Sequence, residues 1–262
     1  MTDYRELGAS LSGGVLLGEA DLAAYSYDGS LERARPDAVV PVRSAEDARA
    51  AVAWCAERGV PFLARGAGTN LCGSCVPLRG GLILAMARMS RVLSLDSERL
   101  CASVEPGVVN LNLQKALEPL GLFYAPDPAS FKVCTLGGNL GENSGGPRCL
   151  KYGTTTNHAR AVEAAMPDGS FARFSLEDDG PELVSLLVGA EGTLGVVTKA
   201  LLGVLPAPES IVTLLAAFPS LEQATGCVSD IIAAGLAPRV LEAMDRLTVE
   251  SIEAYAPAGY PR

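Results

Sequence analysis

The chain contains a single histidine, His158, among its 262 residues. One histidine cannot build a multi-histidine metal site, and it weakens any Ser-His-Asp or Cys-His reading. Long apolar runs are missing too. Charge or proline breaks each one well before the ~18 residues that a bilayer-crossing helix needs. Clustered cations are scarce: the net charge is -9 and the pI about 4.8, which argues against a nucleic-acid surface. The seven cysteines form an odd set without regular spacing. Met1 to Leu11 is too polar and acidic for a secretory leader. Free thiols in a cytoplasmic chain are therefore expected, in solution or peripheral to the inner face of a membrane. Neither internal repeats nor low-complexity tracts occur.

What is present suits one large or two modest domains. The composition is 48% hydrophobic, and a chain of this size buries roughly 70–75% of its unfolded surface. Residues 2–11 and 19–25 read as short helices, and Ala38 to Val42 as a strand between prolines. Ser44 opens a helix, with Asp47 three residues on in a capping-box-like pair. Ala48, Ala51, Val52 and Cys55 share one apolar face, and Gly59 and Pro61 stop the helix. The strand that follows, Pro61 to Ala64, should lie parallel to the first. Near residue 96 the texture turns to hairpins. Leu82–Ala85, Val92–Leu95 and Cys101–Val104 are strand candidates, and Val109 to Leu120 reads as a helix. Residues 125–153 read as a long glycine-rich loop, of the kind that is usually functional. Pro167-Asp168-Gly169 joins a hairpin, Pro181 to Val188 is a short helix, and Thr193 to Leu205 holds one or two strands. After Pro206-Ala207-Pro208, a strand (Ile211 to Phe218), a helix (Ser220 to about Ala234), and a second strand and helix (Pro238 to Ala254) suit a ferredoxin-like half-domain.

The stretch at 61–81, PFLARGAGTNLCGSCVPLRGG, carries the most chemistry. The strand runs into Arg65-Gly66-Ala67-Gly68-Thr69-Asn70. Successive backbone N–H groups in such a loop form a nest for phosphate. Leu71 stands where a dinucleotide fingerprint needs its third glycine, and Cys72 to Gly81 cannot be a helix. No Gly-Lys-Ser/Thr follows, so it is not a P-loop. The loop must wrap phosphates in extended form. Cys72 and Cys75 lack the further ligands of a zinc site and read as small residues filling small slots; no metal site is expected.

Three more segments follow in order: DPASFKVCTLGGNLGENSGGPRCLKYG at 127–153, MPDG at 166–169 and LLVGAEGTLGVVT at 186–198. With these four segments the chain resembles the flavin-linked oxidase family typified by vanillyl-alcohol oxidase, and within it the 2-hydroxy-acid dehydrogenases. The resemblance runs from about Leu16 to the last residue.

The resemblance implies an α+β, two-lobed, PCMH-type FAD-binding domain over 1–205, with lobes of about 1–96 and 97–205. The beginning of a ferredoxin-like cap would occupy 206–262. FAD would lie in the groove between the lobes, with Arg65, Gly66, Ala67, Gly68, Thr69, Asn70 and Ser74 at the pyrophosphate. Pro128, Thr135, Gly137, Gly138, Asn139, Gly141, Asn143, Ser144 and Gly145 would flank the ribityl chain and ring, and Glu191, Gly195 and Val197 the adenosine side. Some relatives tether the flavin through a histidine in the pyrophosphate loop; Asn70 stands at the matching place, so binding should be non-covalent. Arg148 and Lys151 are candidates for a substrate carboxylate, and Arg79 for a further local cation. No residue is a convincing catalytic base, and His158 reads as a surface or hinge residue.

The function so implied is FAD-dependent oxidation of a 2-hydroxy acid of the glycolate or D-lactate type to the 2-oxo acid. Members of the family usually continue beyond the point matching Arg262, so the chain is expected to be a fragment, a truncation or a split subunit that is inactive alone. The alternative is a non-catalytic flavin-binding or assembly subunit that works with a partner chain. A more distant one is the flavin reductase of cell-wall precursor synthesis, which the Asp127–Ser130 and Gly145–Arg148 segments disfavour.

Overall fold

The computed structural model describes residues 3–261. Two short helices, α1 (Tyr4–Ser10) and α2 (Glu19–Ala24), lead into a three-stranded parallel sheet. Its strands are β1 (Ala38–Pro41), β2 (Phe62–Arg65) and β3 (Leu82–Ala85), with β3 in the middle. Helix α3 (Ala45–Arg58) links β1 to β2. Ser44 caps it by accepting from Asp47 N, and Gly59 ends it at φ +63, a conformation glycine adopts without Cβ strain. The expected face is buried as a unit: Ala48, Ala51, Val52 and Cys55, joined by Trp54. Asp47 does more than half a capping box. Its carboxylate accepts from Ser12 N, Ser12 Oγ and Arg43 N, pinning the helix start to the segment after α1.

The second lobe is an antiparallel five-stranded sheet. It contains β4 (Val92–Asp96), β5 (Cys101–Val104), β7 (Ala159–Ala165), β8 (Phe171–Ser175) and β9 (Val196–Gly203), in the order β4-β5-β9-β7-β8. Strand β6 (Leu122–Phe123) stands apart and pairs with β10 (Leu205–Pro206). The change of sheet falls between Ala85 and Val92, earlier than the lobe limit near residue 96. Strand β4 hydrogen-bonds to β5, because Asp96 closes a tight turn by accepting from Glu98 N and Arg99 N. Along β9, residues 196, 198, 200 and 202 are buried and those between are half-buried, the period of a sheet with one face on the core. Helices α4 (Asn110–Leu117) and α7 (Val184–Leu187) cover that face with Leu113, Leu117, Val184 and Leu187. Ala165 and Val196 join the core of the first lobe, so the two lobes share buried surface.

Residues 125–153 are more ordered than expected. Two short helices, α5 (Leu136–Gly141) and α6 (Cys149–Tyr152), punctuate the segment. Thr135 nucleates the first by accepting from Gly138 N. Beyond Pro206 the helices form as expected, α8 (Leu221–Ala233) and α9 (Arg246–Tyr255), capped by Ser220 and Asp245. The two strands expected there do not form. Ile211 to Phe218 is extended with no ladder, and Ile211, Val212, Leu214 and Leu215 are 64–88% exposed. A strand is stabilised by its cross-strand neighbours, and among the described residues none pairs with this one.

Candidate functional site

Three of the segments singled out from the sequence meet in one groove. Strand β2 delivers Arg65 and Gly66 to one wall, with Ser74 beyond them. Thr135, Gly137, Gly138 and Gly141, from the start of α5, form the second. Glu191, Gly195 and Val197, at the turn entering β9, form the third. The groove opens to solvent, and its cavity volume is only about 60 Å³. The third wall is fixed on the second by backbone: Gly189 N donates to Leu140 O at 2.8 Å and Glu191 N to Gly141 O at 2.9 Å.

The glycines serve two purposes. At Gly66 a Cβ would overlap Thr135 Oγ1, and at Gly137 it would sit 2.5 Å from Pro106 Cβ. These two let the walls touch each other. At Gly138 a Cβ would sit 3.3 Å from Thr135 Oγ1, a tight contact, and at Gly141 it would sit 3.8 Å from Glu191 Cα, an ordinary one. Both line the groove with bare backbone.

The glycine loop presents unpaired donors. Among the described residues, no backbone N–H from Gly66 to Cys72 donates to another protein group. Buried or ligand-facing N–H groups need acceptors, and a run of them is an anion nest. Arg65 supplies the charge from behind. It is 6% exposed, its Nη1 donates to Tyr27 O at 2.6 Å, and its guanidinium lies over the Tyr25 ring. Gly68, at φ +67, makes room for that guanidinium, which a Cβ would overlap. Asn70 shapes the loop: its Oδ1 accepts from Gly73 N at 3.2 Å and its Nδ2 lies 3.1 Å from Cys75 Sγ. Ala67 is exposed, Thr69 half-buried and Arg79 exposed; none of them lines the groove.

The remaining sequence candidates lie behind the groove. Asn139 is buried, with Nδ2 lacking a hydrogen-bond partner. Asn143, at φ +46, accepts from Thr156 N through Oδ1, and Ser144 O accepts from Thr155 N and Oγ1. Gly145 packs on Cys149 Sγ, and Pro128 O accepts from Phe131 N. These residues hold the glycine segment in shape, and the structure does not bring their side chains into the groove. Arg148 pairs with Asp127, Nε to Oδ2 at 2.8 Å, while Lys151 is exposed beside Tyr152.

The cysteines and the histidine depart from expectation. Cys75 is buried, but Cys72 is exposed and points its thiol at Glu142 Oε2, 3.1 Å away. Ser74 Oγ also donates to Glu142. Cys72, Glu142 and Glu191 thus bring three metal-capable atoms within 4.8 Å of one another, a grouping invisible in the sequence because three separate loops supply it. All seven cysteines are free. His158 is buried, not a surface or hinge residue. Its Nε2 lies 2.9 Å from Tyr152 O and its ring meets Tyr124 edge-on. Burial pushes its pKa down, against the weaker pull of backbone carbonyls.

The sequence missed several lining residues. Ala64, Cys75, Glu142, Leu187, Gly192 and Val196 lie inside the highlighted segments, but Met86 and Pro106 line the groove as well. Met86 and Pro106 carry no local signal, since an apolar lining residue reads like any core residue. The residues present fit a flavin dinucleotide: a nest of free N–H groups backed by a buried arginine for the pyrophosphate, and side-chain-free walls for a flat ring.

A strand-fed nest facing a glycine helix and a glycine turn defines a flavin-dinucleotide domain of the two-lobed kind. A family profile described as FAD binding domain matches residues 36–175, and one described as FAD linked oxidases, C-terminal domain, matches residues 207–262. The chain belongs to the FAD-linked oxidase family. It is 43% identical over 242 residues to the glycolate oxidase subunit GlcD of Bacillus subtilis, covering 90% of this chain and 52% of that protein. It is 34% identical to a D-lactate dehydrogenase of Anaerostipes hadrus, over 92% of this chain and 52% of that one. The chain therefore spans about half the length of the curated relatives it matches. A solved alkyldihydroxyacetonephosphate synthase shares the fold at a TM-score of 0.76 and 24% identity, over 89% of this chain and 50% of that one. Among the described residues, no helix is long and apolar enough to cross a membrane.

Proposed function

We propose that the chain is the flavin-binding half of a cytoplasmic FAD-dependent 2-hydroxy-acid dehydrogenase, acting on a substrate of the glycolate or D-lactate type. The observation that carries this reading is the convergence of the glycine loop, α5 and the Glu191–Val197 turn on one groove. It is supported by the identity to a glycolate oxidase subunit and to a D-lactate dehydrogenase. Gly66 to Asn70 would hold the pyrophosphate non-covalently, Thr135 to Gly141 the ribityl chain and ring, and Glu191 to Val197 the adenosine side. Bound FAD supplies the hydride acceptor, and the protein supplies orientation and local electrostatics.

The chain's own residues bind and position. Arg65 would neutralise the diphosphate from behind the loop, and Pro106, Met86 and Leu187 give the groove an apolar lining. Of the carboxylates lining the groove, Glu142 is already engaged by Cys72 and Ser74. A general base must reach the substrate hydroxyl, and Glu191, the other lining carboxylate, stands on the wall assigned to the adenosine side rather than to the ring, so we expect the 262-residue chain to be inactive alone.

A second reading, a flavin-binding subunit that works only with a partner chain, is favoured by the exposed apolar segment Ile211 to Phe218. One experiment separates the two. The chain is reconstituted with FAD, its visible spectrum recorded, and dye-linked oxidation of glycolate and D-lactate assayed with and without the relevant partner polypeptides. Flavin bands without turnover are expected for the chain alone. No flavin bands would refute the cofactor assignment, and full turnover would overturn the missing-base argument.

A further inference from the structure

The glycine segment that begins at the groove ends against a second polar cluster. A Cβ on Gly146 would overlap the backbone carbonyl of Asp127. The Asp127 carboxylate pairs with Arg148 Nε at 2.8 Å and accepts weakly from Arg148 N at 3.4 Å. A second arginine, Arg239, arrives from the segment matched by the C-terminal oxidase profile. Both guanidinium groups lie against the Phe123 ring, with Cζ at 5.8 Å for Arg148 and 5.0 Å for Arg239. Tyr152 closes the ring's edge at 5.5 Å between centroids.

The charges in this cluster do not balance. Asp127 pairs with Arg148 alone, while Arg239 acts on the same carboxylate only through space, in a chain whose net charge is -9. Arg239 Nη1 is buried with no hydrogen-bond partner. The terminal nitrogens of Arg148 have no acceptor either, because its ion pair uses Nε. A buried, unpaired guanidinium nitrogen is costly, and a planar guanidinium fork matches a carboxylate bidentately.

We propose that Arg148 and Arg239 form a carboxylate-binding site over Phe123, with Asp127 as the counter-ion that sets the Arg148 fork. Its natural ligand would be the carboxylate of the hydroxy acid, and that assignment rests on the function proposed above. Arg239 is then a specificity-determining residue contributed by the C-terminal segment. The site selects an anionic substrate over its neutral amide or alcohol analogue.

The test is calorimetric titration of the chain with oxalate, a planar dicarboxylate that cannot be oxidised as a hydroxy acid. Neutral oxamide serves as the control. Oxalate should bind and oxamide should not. Arg239→Gln should weaken oxalate by at least about tenfold, one full charge-assisted contact. Arg239→Lys should restore part of that loss, because it keeps the charge and loses the fork. The lysine variant carries the comparison if the glutamine variant fails to fold, and FAD affinity measured in parallel reports on the groove. No oxalate binding, or equal binding by wild type and both variants, overturns the proposal. Turnover of glycolate or D-lactate is scored separately with partner polypeptides present. Arg239-dependent oxalate binding without any hydroxy-acid turnover would sink the proposed function and leave the anion site. Turnover with Arg239-independent oxalate binding would do the reverse.

Discussion

Gly66 and Thr135 are in contact across the groove: a Cβ on the glycine would overlap the threonine hydroxyl. The same hydroxyl accepts from Gly138 N and so caps α5. The first wall of the site therefore leans on the cap of the second.

Gly66→Val should damage both walls together. The new side chain must push Thr135 aside, loosening the α5 cap as well as crowding the groove. Overpacking of this kind costs about 1–3 kcal/mol. Thermal melts should show the loss of stability, and flavin-fluorescence titration a loss of FAD affinity. Unchanged melting and affinity would mean that the walls do not meet as described.

Gly68→Leu tests the loop from its other side. Gly68 has φ +67, where L side chains are strained, and Arg65 occupies the space a Cβ would enter. The variant should displace the buried guanidinium from Tyr27 O and lose FAD affinity. Full affinity would show that the loop tolerates a side chain there, and that the nest is not where the pyrophosphate sits.

His158 predicts an acid limb in stability. Its pKa in the folded protein is lowered, chiefly by burial, so protonation favours the unfolded chain, where the value is about 6.5. The stability from the neutral, buried imidazole is fully present above that unfolded pKa. It declines as the pH falls below it, until the lowered folded pKa is passed. Melting temperatures measured from pH 8 down to pH 5 should fall more steeply for the wild type than for His158→Gln. Parallel curves for the two proteins would remove the histidine from the account.

Much of the architecture was legible in local chemistry. Ser44, Gly59 and the apolar face of α3 are signals read within a turn or two of helix, and the structure places each where the spacing predicts. The hairpin around Asp168-Gly169 is equally local. The strand expected at Ile211 to Phe218 is a different case. Its apolar residues favour extension, but only a neighbouring strand makes a ladder, and the sequence does not say which segment that would be. Strand β5 shows the same limit: the turn closed by Asp96 joins it to β4, while its other neighbour, β9, comes from far along the chain.

By itself the sequence determined most elements of the first 205 residues, the Ser44 cap and the three glycine-rich segments suited to a flavin dinucleotide, because these depend on neighbours a few residues apart. Only the tertiary structure decided which of those residues share a surface. It put Gly138 and Gly141 in the groove and Asn139, Asn143 and Ser144 behind it. It buried His158 under Tyr124, and brought Arg239 to the Phe123 ring beside Arg148. Contacts between distant segments follow from how helices and sheets bury their apolar faces together, and no local spacing encodes that outcome.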